Sequence, residues 1–213
     1  MLLEMHAHTR EHSDCSRMDA EKLVRAVIAK GLDGLLITDH HYLWPQEEIE
    51  QLRLAAGAPE SFLLASGQEV NTPDAGDVLV YGARTSIGPG IRLSQLRRTC
   101  PDAALVWAHP WRGRRRPTAV ELLDSRFDAI EVLNRNHRFL QNRKALREWF
   151  ALRFVAIAGT DVHGRIVGTY PTFFENKLST MADLVEAIRA GRCRPLLKTR
   201  GSFGHEVEKD GLI

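Results

Sequence analysis

The sequence predicts an α/β protein built on a largely parallel sheet. Short apolar runs alternate with amphipathic helical stretches along the chain. About seven of those runs have the length and composition of buried strands. Histidine and acidic residues recur directly after them, where parallel α/β folds place their sites. Such a pattern suits either a barrel or an open, doubly wound sheet.

The elements follow in order. Leu2 to Met5 is a short apolar strand, and Asp19 to Lys30 reads as a helix. Asp19 suits its N-cap, Leu23, Val24, Val27 and Ile28 form its apolar stripe, and Gly31 stops it. Gly34 to Thr38 is a buried-strand run, after which Pro45 opens a helix through Ala56 with Glu47 and Glu48 in its first turn. Phe62 to Ala65 and Asp77 to Tyr81 are strands joined by the turn-rich Asn71 to Gly76. Strands are expected at Ala103 to Trp107 and Asp128 to Leu133, with a helix near Thr118 to Asp124 between them. Arg138 to Leu152 reads as a helix, Phe154 to Ala158 as a strand, Thr180 to Ala190 as a helix and Arg194 to Leu197 as a last strand. No linker or repeat interrupts residues 1–200, so one domain of this span is expected, followed by a polar tail over 201–213.

Composition narrows the function classes. Hydrophobic residues at 44% and charged residues at 26% are ordinary for a globular protein. No apolar run approaches the roughly 18 residues of a membrane span. The N-terminal stretch lacks the basic and apolar regions of a signal peptide, so a cytoplasmic location is expected. Cys15, Cys100 and Cys193 form no CxxC pair, which argues against a thiolate zinc site and for reduced thiols. A net charge of +2 points to no acidic partner by itself.

The unusual feature is nine histidines. His6-Ala7-His8 places two imidazoles on one face of a strand exit. Glu4 shares their parity and is expected to orient a ligating His. Thr38-Asp39-His40-His41, Gly67-Gln68-Glu69, Ala108-His109-Pro110 and Gly159-Thr160-Asp161-Val162-His163 follow other strands. In a parallel barrel these positions converge on one mouth. Imidazole and carboxylate ligands suit zinc, iron(II) or manganese(II), and eight ligand-type side chains suggest two or three ions sharing a carboxylate.

These motifs resemble the PHP family, named for polymerase and histidinol phosphatase. The matches are His6-Ala7-His8-Thr9, Ile37-Thr38-Asp39-His40, Gly67-Gln68-Glu69, Ala108-His109-Pro110 and Gly159 to Gly164. The resemblance implies a distorted seven-stranded (β/α)7, TIM-like barrel, a two- or three-metal site and metal-dependent phosphoester hydrolysis. By position, His6 and His8 would bind one metal, Asp161 would close its site, and Glu69 would bridge to a second metal held by His40 and His109. His163 would complete the cluster, and Asp39 would stand behind it. Asp14 occupies the loop position of a further ligand, with His12 as its rival, and Asp77 stands where many members carry a His. His41, His137 and His205 are expected to carry no metal, the last two as surface residues.

The expected reaction is hydrolysis of a small phosphate ester or nucleotide, with Asp161 taking or orienting the proton of water. Arg114, Arg115 and Arg135 are candidates to hold phosphoryl oxygens. A nuclease is the alternative, less favoured because no basic stripe with interleaved aromatics stands out in the sequence. A non-catalytic metal-binding regulatory module is another.

Overall fold

A computed structural model describes residues 1–113 and 116–196. Arg114, Arg115 and the expected tail over 201–213, His205 included, lie outside the described residues. The elements are β1 (Leu2–Glu4), α1 (Ala20–Ala29), β2 (Gly34–Ile37), α2 (Gln46–Ala56), β3 (Leu63–Ser66), β4 (Gln68–Thr72), β5 (Gly76–Tyr81) and α3 (Leu93–Thr99). They continue as β6 (Ala104–Trp107), α4 (Ala119–Leu122), β7 (Ala129–Asn134), α5 (Phe139–Leu152), β8 (Ala156–Gly159), β9 (Thr172–Phe174), α6 (Met181–Arg189) and β10 (Cys193–Pro195). Local chemistry explains the helix ends. Asp19 caps α1 by accepting from the Lys22 N–H, and Gly57 closes α2 at a φ of 65° that favours glycine. Thr180 and Asp183 cap α6 reciprocally.

The α/β class is as expected, but the closed seven-stranded barrel is not what forms. The strands make two five-stranded mixed sheets, ordered β10-β9-β1-β2-β3 and β4-β5-β6-β7-β8. Within them β1, β2 and β3 run parallel, as do β6, β7 and β8. β9, β10 and the β4–β5–β6 pairings are antiparallel.

Two local features divide the ring. At one seam, β3 and β4 are nearly one strand, broken at Gly67. The first half pairs with β2 and the second with β5. A Cβ at Gly67 would sit 2.7 Å from a Tyr81 ring carbon and 2.9 Å from the Val80 carbonyl, so only glycine permits that switch. At the other seam, the Thr172 hydroxyl accepts from the Ala158 N–H at 2.9 Å and donates to the Ala158 carbonyl at 2.8 Å. A side chain thus stands where a β8–β9 backbone ladder would run. Isolated bridges, Ala7 with Val162 and His40 with Glu69, join the sheets beyond the strand ends. Both are at the histidine clusters.

The interior between the sheets is filled by residues such as Leu3, Leu36, Leu79, Tyr81, Ile157 and Phe174, while α1 and α2 cover β2 with Leu23, Val27, Ile49 and Leu52. Gly159, at the end of β8, shows how tight the mouth is. A Cβ there would lie 2.5 Å from both Glu131 Oε1 and His6 Cβ. Gly159→Ala is therefore expected to cost about 1–3 kcal/mol through overpacking. Thermal denaturation would show this as a Tm lower by roughly 2–4 °C per kcal/mol, and an unchanged Tm would contradict it.

Candidate metal centre

The segments after β1, β2, β6 and β8, together with β4 itself, bring His6, His8, His40, Glu69, His109, Asp161 and His163 into one cluster. His6 Nε2 and His8 Nε2 lie 3.1 Å apart, and Glu69 Oε2 lies 3.2 and 3.0 Å from them. Asp161 Oδ1 is 3.5 Å from His6 Nε2 and 3.3 Å from His8 Nε2. Donor atoms around a tetrahedral ion with bonds of 2.0–2.1 Å lie about 3.4 Å apart, which is the spacing seen here. Asp161 Oδ1 is buried without a hydrogen-bond partner, although His163 Nδ1 also lies 3.3 Å away. A buried carboxylate oxygen lacking a donor, ringed by imidazoles, is costly unless a cation fills the gap. The residues present therefore fit divalent metal.

Glu69 faces two ways. Its Oε2 meets His6, His8 and, at 3.5 Å, His40 Nδ1, while its Oε1 lies 2.9 Å from His109 Nε2. Glu69, Asp77 and His109 form a second donor group, with Asp77 Oδ2 3.8 Å from His109 Nε2. His40 groups with His8 and His163, rather than with His109 as the resemblance implies. The clustered exits are conformationally unusual. His41, His109 and Asp161 have φ of 56°, 31° and 56°, in the left-handed region that non-glycine residues seldom adopt and that concentrates at functional sites.

Supporting side chains set the rings. Ser13 Oγ lies 3.4 Å from His8 Nδ1 and donates to Asp39 Oδ1 at 2.6 Å. Asp39 also accepts from the Thr9 N–H at 2.7 Å and Trp44 Nε1 at 2.8 Å, so it holds the loop behind the cluster. Glu131, in β7, accepts from His6 Nδ1 at 3.1 Å through one oxygen. Its other oxygen accepts from the His109 backbone N–H and Asn134 Nδ2, both at 2.9 Å.

Residues 139–193 match the family described as PHP-associated. No curated protein sequence matches this chain. Among solved structures, it is similar to a candidate metal-dependent phosphoesterase from Bifidobacterium adolescentis, at 17% identity, a TM-score of 0.61, and 87% of this chain against 95% of that one. It also resembles an amidohydrolase from Chromobacterium violaceum solved with bound sulfate and no metal, at 14% identity and a TM-score of 0.55 over 76% of this chain and 87% of that one. A third likeness is to the lesion-specific endonuclease PfuEndoQ from Pyrococcus furiosus, at 15% identity and a TM-score of 0.58 over 92% of this chain but only 57% of that one. At these identities the likeness is one of fold.

The structure departs from several sequence expectations. Glu4 does not touch an imidazole. It accepts from the backbone N–H groups of His6, Thr160 and Gly168 and from the Thr160 hydroxyl, bracing the loop after β8. Glu131 performs the orienting role instead. Asp14 is exposed and belongs to none of the donor groups among the described residues, because Ser13 is the loop residue that turns inward. His12 stacks on Tyr42 at 3.6 Å, with its Nε2 3.9 Å from Glu48. Arg135 is exposed. His137 is buried rather than on the surface, with Nδ1 2.9 Å from Asn142 Oδ1. His41 turns its Nδ1 to the Ile87 carbonyl. Arg112 reaches in unforeseen: its Nη2 donates to Asp161 Oδ2, and to Asn134 Oδ1 at 3.1 Å.

The electrostatics of the metal-free protein follow from this crowding. Burial works against a charge on His6, yet Glu131 and Glu69 raise it to about 10. Burial likewise opposes the charge of Glu131, but His6 and His109 hold its carboxyl down at about 2. Burial and the His8 and His6 rings push His163 down to about 4. A proton on His6 thus serves as the cluster's internal cation. The consequence for stability has a definite sign. His6 contributes stability that is complete below about pH 6.5 and is lost as pH rises toward 10; His163 resists protonation, so stability falls as pH drops from about 6.5 toward 4. The metal-free protein is expected to be most stable near pH 6–7, with Tm declining on both sides in EDTA. A Tm unchanged up to about pH 9.5 would contradict a charged His6.

Proposed function

We propose that this protein is a metal-dependent phosphoesterase, a hydrolase acting in the cytoplasm through one domain over residues 1–200. The observation that carries the reading is Glu69, one carboxylate facing two donor groups. Two-metal clamps on phosphoryl oxygens have such a shared arrangement. His6, His8, Asp161 and Glu69 Oε2 would hold one ion, Glu69 Oε1, His109 and Asp77 a second, and His40 and His163 would close the cluster with His8. Zinc, manganese or iron suits these donors, and would supply Lewis acidity and a nucleophile at neutral pH.

The chain's own residues do the rest. Arg112 anchors Asp161 by Oδ2, leaving Oδ1 turned toward the imidazoles, where it would hold the ion and orient attacking water beside it. The half-exposed Arg112 guanidinium has further N–H groups for phosphoryl oxygens, the part expected of its neighbours Arg114 and Arg115 and of Arg135. The three cysteines are unpaired, in keeping with a reducing compartment. Phosphodiester cleavage in nucleic acid is a second reading. It is supported by the fold likeness to Endonuclease Q, solved with a 27-mer duplex bearing an abasic lesion.

Turnover of p-nitrophenyl phosphate and bis(p-nitrophenyl) phosphate with added manganese or zinc tests the proposal. His109→Ala is expected to lower turnover at least about 100-fold. Equal activity in variant and parent would overturn the assignment. Failure of metal-loaded protein on both esters would favour a binding module.

A further inference from the structure

Residues 112–147 carry ten basic and four acidic side chains, although the whole chain is only +2. Four of these basic residues meet on one surface. Arg116, Leu140, Arg143, Lys144, Arg147 and Glu148 line one open cavity of about 570 Å³ on the outer face of α5. Glu148 is its single acid, and both oxygens of that acid are occupied: Lys144 Nζ lies 3.3 Å from one and Trp111 Nε1 donates to the other at 3.1 Å. Arg143 and Arg147 are exposed and form no ion pair among the described residues. Exposed cations with a single carboxylate among them create a positive local potential that attracts an anionic partner.

The cavity is tied to the candidate metal centre. The loop from His109 runs past Arg112, whose carbonyl accepts from Gln141 Nε2 of α5 at 3.0 Å, and enters the cavity at Arg116. Arg116 is four chain steps from Arg112, which caps their Cα separation at about 14 Å. A partner in the cavity would therefore lie within a few phosphates of Asp161. Phe139 and Leu140, at the start of α5, are 75% and 70% exposed. An aromatic and an aliphatic face beside spaced cations suit unstacked bases joined by phosphates, and add nothing for a small phosphate ester.

We propose that the outer face of α5 binds a single-stranded nucleic acid, with Arg116, Arg143, Lys144 and Arg147 on its phosphates and Phe139 against a base. The substrate is then an oligonucleotide with one phosphodiester at the metal centre. This placement rests on the phosphoesterase reading for its catalytic part only; binding does not.

Binding of a fluorescein-labelled oligothymidylate 12-mer, read by anisotropy in EDTA across salt concentrations, separates the two. The parent is expected to bind with a steep salt dependence. The Arg143→Ala/Arg147→Ala double variant should bind at least about tenfold more weakly, with a salt slope lower by about 2. The Arg143→Lys/Arg147→Lys variant should retain most of the affinity, which excludes misfolding as the cause. Hydrolysis of bis(p-nitrophenyl) phosphate should be equal in all three, since neither arginine belongs to the metal centre. No binding by the parent, an unchanged affinity in the alanine variant, or equal displacement by poly-glutamate would overturn the proposal. Loss of diester hydrolysis with binding intact would count against the phosphoesterase reading alone.

Discussion

Glu69→Gln is expected to reduce phosphoesterase turnover by at least 10²- to 10³-fold and to remove at least one equivalent of bound metal per chain. The substitution preserves shape and deletes only charge and one acceptor. That is the stringent test, because the two oxygens of Glu69 face separate donor groups: His6, His8 and His40 on one side, His109 on the other. Burial opposes its ionisation, yet His6 and the surrounding ring N–H groups hold its carboxyl well below the ordinary range. It is thus a fixed negative charge at neutral pH, placed between the two donor groups. A glutamine offers an N–H to one side and so turns a donor toward a cation. Excess manganese should not restore turnover if Glu69 is itself a shared ligand rather than a group behind one. Elemental analysis paired with turnover reads both effects, and parental metal content with parental rates would refute the bridging role.

Much of this centre is legible in the sequence because strands impose their period. His6 and His8 share a face by their i, i+2 spacing, and both reach the cluster. Adjacent residues are harder: His40 and His41 differ in direction because His41 adopts a φ of 56°, a backbone choice with no signal in local composition. Arg112 is 49 residues from Asp161, and a loop side chain folding back over that separation has no periodic mark. The barrel expectation fails for related reasons. β4 carries Val70 as its lone aliphatic residue, and β9 is three residues long, so neither reads as a strand. Yet these two, with the break at Gly67, give the molecule two sheets instead of one closed ring. Glu131 is different, because its signal was available. An acid in the middle of the apolar run Ala129 to Asn134 must be buried, and a buried carboxylate needs a partner.

That partner is His6, and Glu131→Gln is the second large effect expected. Glu131 accepts a hydrogen bond from His6 Nδ1–H, so a His6 neutralised on binding metal would direct its Nε2 lone pair toward His8, Glu69 and Asp161. Its other oxygen holds the N–H of His109, whose φ of 31° needs such an anchor. One carboxylate therefore fixes the tautomer of one candidate ligand and the backbone of another. Glutamine keeps one acceptor oxygen and presents its NH2 to a donor on the other side, so one of those two anchors is lost. Metal affinity should fall about 10- to 100-fold, as for other groups that orient ligands from behind. Unlike the Glu69 variant, this one should recover much of its turnover at saturating manganese, because every ligand remains. Glu131→Leu should be worse in the metal-free state, costing about 3–5 kcal/mol by leaving the buried imidazolium of His6 without its closest carboxylate. Metal titration of turnover, with denaturant unfolding in EDTA, distinguishes the two substitutions. If Glu131→Gln bound metal as the parent does, His6 would not depend on Glu131 for its orientation.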